Sequence, residues 1–130
     1  ITPIVAVGET AEEHAAGGTR AKVRAQVSAA FAGIDPGDAA RCVLAYEPIW
    51  AIGTGVADTP ESANAVMGEI REAAPGLERV RVLYGGSVKP ENIALFVAQP
   101  NIDGGLVGGA SLEPASYAAL LEQAQAAVSV

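Results

Sequence analysis

The chain is short of the residues on which several large classes of chemistry depend. Cys42 is the only cysteine and His14 the only histidine, so an intramolecular disulfide and a zinc site of ordinary ligand spacing are both excluded. Cys42 stands beside Val43 and Leu44, which suits a buried small hydrophobe better than a reactive thiol. Ser87 has no partner base, because His14 lies in a charged segment expected to be exposed, and this argues against a Ser-His-Asp hydrolase. Basic residues number 8 against 15 acidic ones, a net charge of −7. Nucleic acid is therefore not an expected partner, since phosphate binding on that scale needs a basic face. An anionic small substrate would need a locally positive pocket. No apolar run approaches the roughly 18 residues that span a bilayer, and the first residues lack the pattern of a secretory signal. A cytoplasmic protein without a membrane partner is the expectation. No Gly-Lys-Ser/Thr phosphate loop occurs, and Gly53-Thr54-Gly55 is not followed by the spacing of a dinucleotide fingerprint.

What remains is a chain of 130 residues, half of them hydrophobic, enough for one modest core. It begins at Ile1 without Met and runs almost at once into a strand, which reads as a piece of something longer. The run 3–7 (PIVAV) ends in Gly8-Glu9 and suits a strand buried on both faces. Thr19 is a plausible helix cap, and Val23, Val27, Ala30 and Phe31 fall on one face of the helix that follows, which Gly33 and 35–38 (DPGD) stop. The same grammar then repeats three times. Residues 42–46 read as a strand, and Thr59-Pro60-Glu61 opens a helix with Ala63, Val66, Met67 and Ile70 as its buried stripe. Residues 80–84 form the third strand, with a helix from near Pro90 burying Ile93, Phe96 and Val97. Gly105-Leu106-Val107 is the fourth, followed by a helix from about Pro114 with Tyr117, Leu120, Leu121 and Ala124 inward. Four strand-helix units imply an α/β fold of parallel strands with right-handed crossovers. Periodicity alone leaves open a small doubly wound sheet or half of a closed (β/α)8 barrel. In both, ligands bind at the C-terminal ends of the strands, where Gly8, Gly53 to Gly55, Gly85-Gly86 and Gly108-Gly109 fall.

The longest of those loops runs from Glu47 to Asp58. Its middle, Ile49-Trp50-Ala51-Ile52, is poor material for a solvent-facing loop. Pro48 on one side and Gly53, Thr54 and Gly55 on the other read as hinges of a rigid segment that closes over something. A carboxylate at the strand end beneath an apolar cover is where a general base belongs. The plain alternative is that Glu47 pairs with a neighbour and Trp50 fills a gap. Gly85-Gly86-Ser87 and Gly108-Gly109-Ala110 present backbone N–H groups with no side chain in the way, and two such nests facing one point would bind a phosphate without a lysine. Each pair alone would make a tight turn and nothing more. Glu9, Glu12 and Glu13 are expected to be solvated or structural, and Tyr46 to need only a packing role.

The stretch 45–55 (AYEPIWAIGTG) resembles the signature of the triosephosphate isomerase family. The stretches 84–88 (YGGSV) and 105–112 (GLVGGASL) resemble that family's next two active-site loops, in order and at natural spacing, and 7–10 (VGET) resembles the turn after its fifth strand. The resemblance implies that residues 1–130 form the C-terminal half of a TIM barrel domain, the last four of its β/α units. It implies interconversion of dihydroxyacetone phosphate and glyceraldehyde 3-phosphate through an enediolate, in glycolysis and gluconeogenesis, without cofactor or metal. Glu47 would be the catalytic base. Gly53, Ser87, Gly108 and Gly109 would hold the substrate phosphate, Pro48 to Ile52 with Thr54 and Gly55 would form the lid, and Tyr84 and Ser87 would latch it. Val56 departs from the lysine usual after the Gly-Thr-Gly. The strands that carry the family's other catalytic residues and its dimer contacts are not in this sequence. The chain alone is therefore expected to be nearly inactive, and to self-associate or to pair with a missing N-terminal half. The alternative from another class is a non-catalytic half-barrel that binds a phosphorylated ligand or a partner chain.

Overall fold

A computed structural model describes residues 1–128. Four parallel strands, β1 (Ile4–Val7), β2 (Val43–Tyr46), β3 (Arg81–Tyr84) and β4 (Gly104–Gly105), lie side by side in chain order. Ile4 pairs with Val43, Val43 with Arg81, and Leu83 with Gly104. A doubly wound sheet reverses its strand order at a switch point, and this sheet has no reversal.

The helices α1 (Ala11–Ala15), α2 (Thr19–Ala30), α3 (Pro36–Ala39), α4 (Pro60–Arg71) and α5 (Ile93–Val97) fill the crossovers, and α6 (Pro114–Val128) follows β4. The buried stripe of α4 is the expected one: Ala63, Val66, Met67 and Ile70 face Val82 and Tyr84 in one core cluster. Each such large apolar side chain contributes about 1.5–3 kcal/mol when fully removed from water. Thr59 caps α4 by accepting from the Ser62 N–H, with Pro60 in the first turn where no amide is needed.

Several expectations are corrected. Gly18, not Thr19, occupies the cap of α2, because the Thr19 hydroxyl is engaged by Glu9. Ala30 is exposed, and Phe31 reaches the core from just beyond the helix end. The polar stretch after β1 folds into α1, closed by a reciprocal pair in which the Glu13 N–H donates to Thr10 Oγ1 and the Thr10 N–H to Glu13 Oε2. Strand β1 is not buried on both faces: it is an edge strand, and Ile4 is 54% exposed. Cys42 is half-buried. Strand β4 is shorter than expected and starts earlier, although the N–H groups of Asp103 and Leu106 continue its pairing to Val82 and Tyr84. On α6 only Leu120 is buried; Ala124 is half-buried, while Tyr117 and Leu121 are exposed beside the free edge of β4.

At the end of the sheet away from the strand C-termini, Arg71 closes the fold. Its guanidinium donates to the carbonyls of Val80 and Asn101 and to the Asp103 carboxylate, which also accepts the Val82 N–H. Arg71→Met is expected to cost about 2 kcal/mol, because three acceptors lose a charged donor in a half-buried place. The urea midpoint at constant m-value checks it.

Candidate active site

Glu47 follows directly on β2, and its position is set by backbone before side chain. The Glu47 N–H donates to the Val7 carbonyl at 2.8 Å, and the Ile49 N–H to the Glu9 carbonyl at 3.0 Å, which ties the loop to the end of β1. A Cβ on Gly8 would lie 1.8 Å from the Glu47 carbonyl oxygen, so this approach of two strand ends admits only glycine. The Glu47 side chain then lies over Gly85, where a Cβ would come within 2.4 Å of its Cγ. The carboxylate is half-buried and makes no hydrogen bond or ion pair among the described residues.

Gly85 is also a wall of a cleft of about 580 Å³ whose lining includes Ile52, Gly53, Gly55, Ser87, Gly108 and Gly109. The strand ends thus bring the glycines of three separate loops to one opening. The N–H groups of Ser87, Gly108 and Gly109 donate to no acceptor among the described residues. Ser87 holds φ at +30°, sparsely populated for a side-chain-bearing residue, and its hydroxyl donates to the Ala51 carbonyl at 2.6 Å.

The segment from Pro48 to Asp58 is anchored at both ends. Ile49–Ala51 makes a short 3-10 turn, with Ala51 buried but Ile49 and Ile52 exposed, so the apolar middle faces solvent more than its composition suggested. Gly53 and Gly55 have positive φ, and Thr54 between them accepts the Val56 N–H and donates to the Trp50 carbonyl. At the near end, the Trp50 indole donates to Glu9 Oε1 at 2.7 Å. Glu9 is fully buried, not solvated, and also accepts from the hydroxyls of Tyr46 and Thr19. His14 packs against the Trp50 ring, tilted by 31° with ring centres 4.3 Å apart, and places Nδ1 3.3 Å from Glu9 Oε1. Tyr46 therefore does more than pack. Burial, reinforced by the Glu9 charge, holds its phenol far above the usual range, so it remains a donor at any ordinary pH. This buried cluster was missed in the sequence. The available signal was a carboxylate set directly after an apolar strand and Gly8, the same arrangement that singled out Glu47.

At the far end, the Asp58 N–H donates to the Tyr84 hydroxyl at 2.9 Å. Tyr84 stacks on Phe96, and burial pushes its phenol up to about 12, against the weaker effect of the Asp58 N–H. Asp58 is itself buried. Its Oδ1 accepts the Thr59 N–H while Oδ2 has no hydrogen-bond partner among the described residues, and burial raises its carboxyl above the ordinary 3.8. An acid whose folded-state value is raised favours the fold below its unfolded value and loses that contribution as pH rises through the folded one. Asp58→Asn removes the charge that burial penalises, and is therefore expected to be more stable than the parent at pH 7 by about 1 kcal/mol. The advantage should vanish as pH falls below the usual carboxylate range, which urea midpoints taken across pH would read.

A sequence model of the family described as triosephosphate isomerase matches residues 1–124. The chain belongs to the triosephosphate isomerase family. Curated triosephosphate isomerases from two Streptococcus thermophilus strains, ATCC BAA-491 / LMD-9 and CNRZ 1066, are each 50% identical to it over 126 residues. Those matches cover 92% of this chain and 50% of each relative. The chain spans about half the length of the curated relatives it matches. Among the described residues no helix is long and apolar enough to cross a membrane.

Proposed function

We propose that this chain is the C-terminal half of a (β/α)8 barrel, residues 1–130 in one domain, and that the barrel it completes is a triosephosphate isomerase. The sequential, unreversed order of the parallel strands supports the barrel over a doubly wound sheet. The observation that carries the catalytic assignment is the Glu47 carboxylate. It is half-buried, makes no hydrogen bond or ion pair among the described residues, and lies over Gly85, one of the residues lining the cleft that also takes in Ser87, Gly108 and Gly109, although Glu47 itself is not part of that lining.

In this reading the substrate phosphate is held by the amides of Gly53, Ser87, Gly108 and Gly109, and the carbon acid is presented to Glu47. The carboxylate removes a proton from one substrate carbon and returns it to the neighbouring one through an enediolate, without cofactor. Residues 48–55 form the lid, with Trp50 on Glu9, Ser87 on the Ala51 carbonyl and, just beyond it, Asp58 on Tyr84 as its attachments. Closing it keeps water from the intermediate and preserves the geometry of proton transfer. Triosephosphate isomerase is itself the standing example of a glutamate base working opposite a neutral histidine. No residue here occupies that electrophile's place: His14, the sole histidine, is held at Trp50 and Glu9. Each oxyanion donor contributes typically about 10²–10³ in rate, so the chain alone should be nearly inactive.

The test is an isomerase assay of this chain alone and co-expressed with the N-terminal half of a Streptococcus thermophilus relative. Turnover of dihydroxyacetone phosphate only in the combination is the expected result. A combined barrel that binds inorganic phosphate but turns over no triose phosphate would assign the cleft to a binding protein instead.

A further inference from the structure

The phosphate cleft has to receive a doubly charged anion on a chain of net charge −7, and free amides are dipoles that act only at contact. One cation lines it: Lys89. Among the described residues five of the other basic side chains, Arg20, Lys22, Arg24, Arg41 and Arg71, are tied into ion pairs, whereas Lys89 forms none. Its main chain is fixed. The Lys89 N–H donates to Asn92 Oδ1 at 2.8 Å, Asn92 Nδ2 donates back to the Ser87 carbonyl at 2.9 Å, and Pro90 stiffens the same turn. The ammonium reaches across the opening: Nζ lies 4.0 Å from where a Gly55 Cβ would stand, so it sits between the Ser87 loop and the glycine end of the lid segment. Glu91 lines the cleft as well but makes no ion pair with Lys89.

We propose that Lys89 is a binding residue of the phosphate subsite, supplying the full positive charge that draws in the phosphate monoester dianion and holds it as residues 53–55 close. The inference rests on the proposed isomerase reading and adds to it a side-chain cation that the backbone nests alone do not provide. An unpaired ammonium at a cleft mouth acts at a distance at low salt and is screened within about 10 Å at 0.1 M. Its signature is therefore a salt-dependent effect on binding, distinct from an effect on chemistry.

The experiment uses the complete barrel proposed above, this chain co-expressed with the N-terminal half of a relative, as parent, Lys89→Met, Lys89→Arg and Glu91→Gln, with inorganic phosphate as a competitive probe. Lys89→Met should raise the inhibition constant of phosphate and the KM for triose phosphate by about 3- to 10-fold at low salt, the range of an ion pair that becomes partly desolvated. The effect should shrink towards twofold or less near 0.5 M salt. Lys89→Arg should stay within about twofold of the parent, Glu91→Gln should tighten phosphate slightly, and kcat should move much less than KM. Isomerisation of unphosphorylated glyceraldehyde should be no more affected by Lys89→Met than by Lys89→Arg. A phosphate inhibition constant unchanged in Lys89→Met at low salt, or a loss confined to kcat, overturns the proposal. A parent that binds phosphate without turning over triose phosphate overturns the isomerase reading instead. Phosphate affinity read by 31P NMR line broadening then still judges Lys89 on the same variants.

Discussion

In the complete barrel proposed above, Glu47→Gln is expected to lower kcat by about 10³- to 10⁴-fold, at the upper end of what a positioned general base contributes, with KM within a few fold. The amide is nearly isosteric and nothing in the surroundings resists it. The Glu47 backbone is fixed by Val7, the side chain rests on Gly85, and among the described residues the carboxylate has no bonded partner to be left behind. Glutamine thus occupies the same volume and lacks only the capacity to take a proton from carbon. Glu47→Asp separates chemistry from placement. It keeps the base but withdraws it by one methylene, and a displacement of about 1 Å costs on the order of 10²-fold. The expected order is parent, then aspartate, then glutamine, with thermal midpoints alike in all three. Equal losses in both variants, or an unfolding midpoint that falls with activity, would mean that Glu47 supports the loop and does not carry the proton.

The unequal legibility of this molecule in its sequence follows from where each instruction is written. Local periodicity sufficed for α4, whose stripe of Ala63, Val66, Met67 and Ile70 is complete within one helix, and for the cap at Thr59. It failed at β4 and α6, where Tyr117 and Leu121, expected inward, stay 40% and 50% exposed along an open groove beside β4: burial is a property of two surfaces, and a sequence shows one. Strand order was likewise undecidable from periodicity, because doubly wound sheets and barrels share the same strand-helix grammar. At the cleft, glycines announced themselves because the backbone demands there are severe. The cluster of Glu9, His14, Thr19, Tyr46 and Trp50 did not, because its five members are spread over some forty positions and only the closing of β1 on β2 brings them together. Glu9 is indistinguishable from its acidic neighbours Glu12 and Glu13 for the same reason. In sequence they look alike, and in space Glu9 alone is buried.

Gly8→Ala should be the most damaging single methyl group in the chain. A Cβ there would stand 1.8 Å from the Glu47 carbonyl oxygen and 2.5 Å from its carbon, where about 3.0 Å is the practical minimum, so something must move by more than 1 Å. Neither side is free to do so. The Gly8 N–H and carbonyl are both gripped by the Gln26 side-chain amide at 3.0 and 3.1 Å, and the opposing strand end is held by Glu47 to Val7 and Ile49 to Glu9. The clash is with backbone, which has no alternative rotamer. Overpacking of a site that cannot relax costs typically 1–3 kcal/mol and occasionally more. Breaking two or more of these buried bonds adds about 1 kcal/mol each, so a loss of about 4 kcal/mol is expected. Gly17→Ala is the control. Gly17 has φ of +73° but nothing within 4 Å of its Cβ position, and the conformational cost alone should be about 1–2 kcal/mol. Activity should diverge more sharply still, because whatever yields at position 8 carries Glu47 with it. Even the folded fraction of Gly8→Ala should lose on the order of 10²-fold in kcat, while Gly17→Ala keeps the parent value. A Gly8→Ala protein as stable as Gly17→Ala, or one destabilised but fully active per folded molecule, would show that the end of β1 does not set the position of the base.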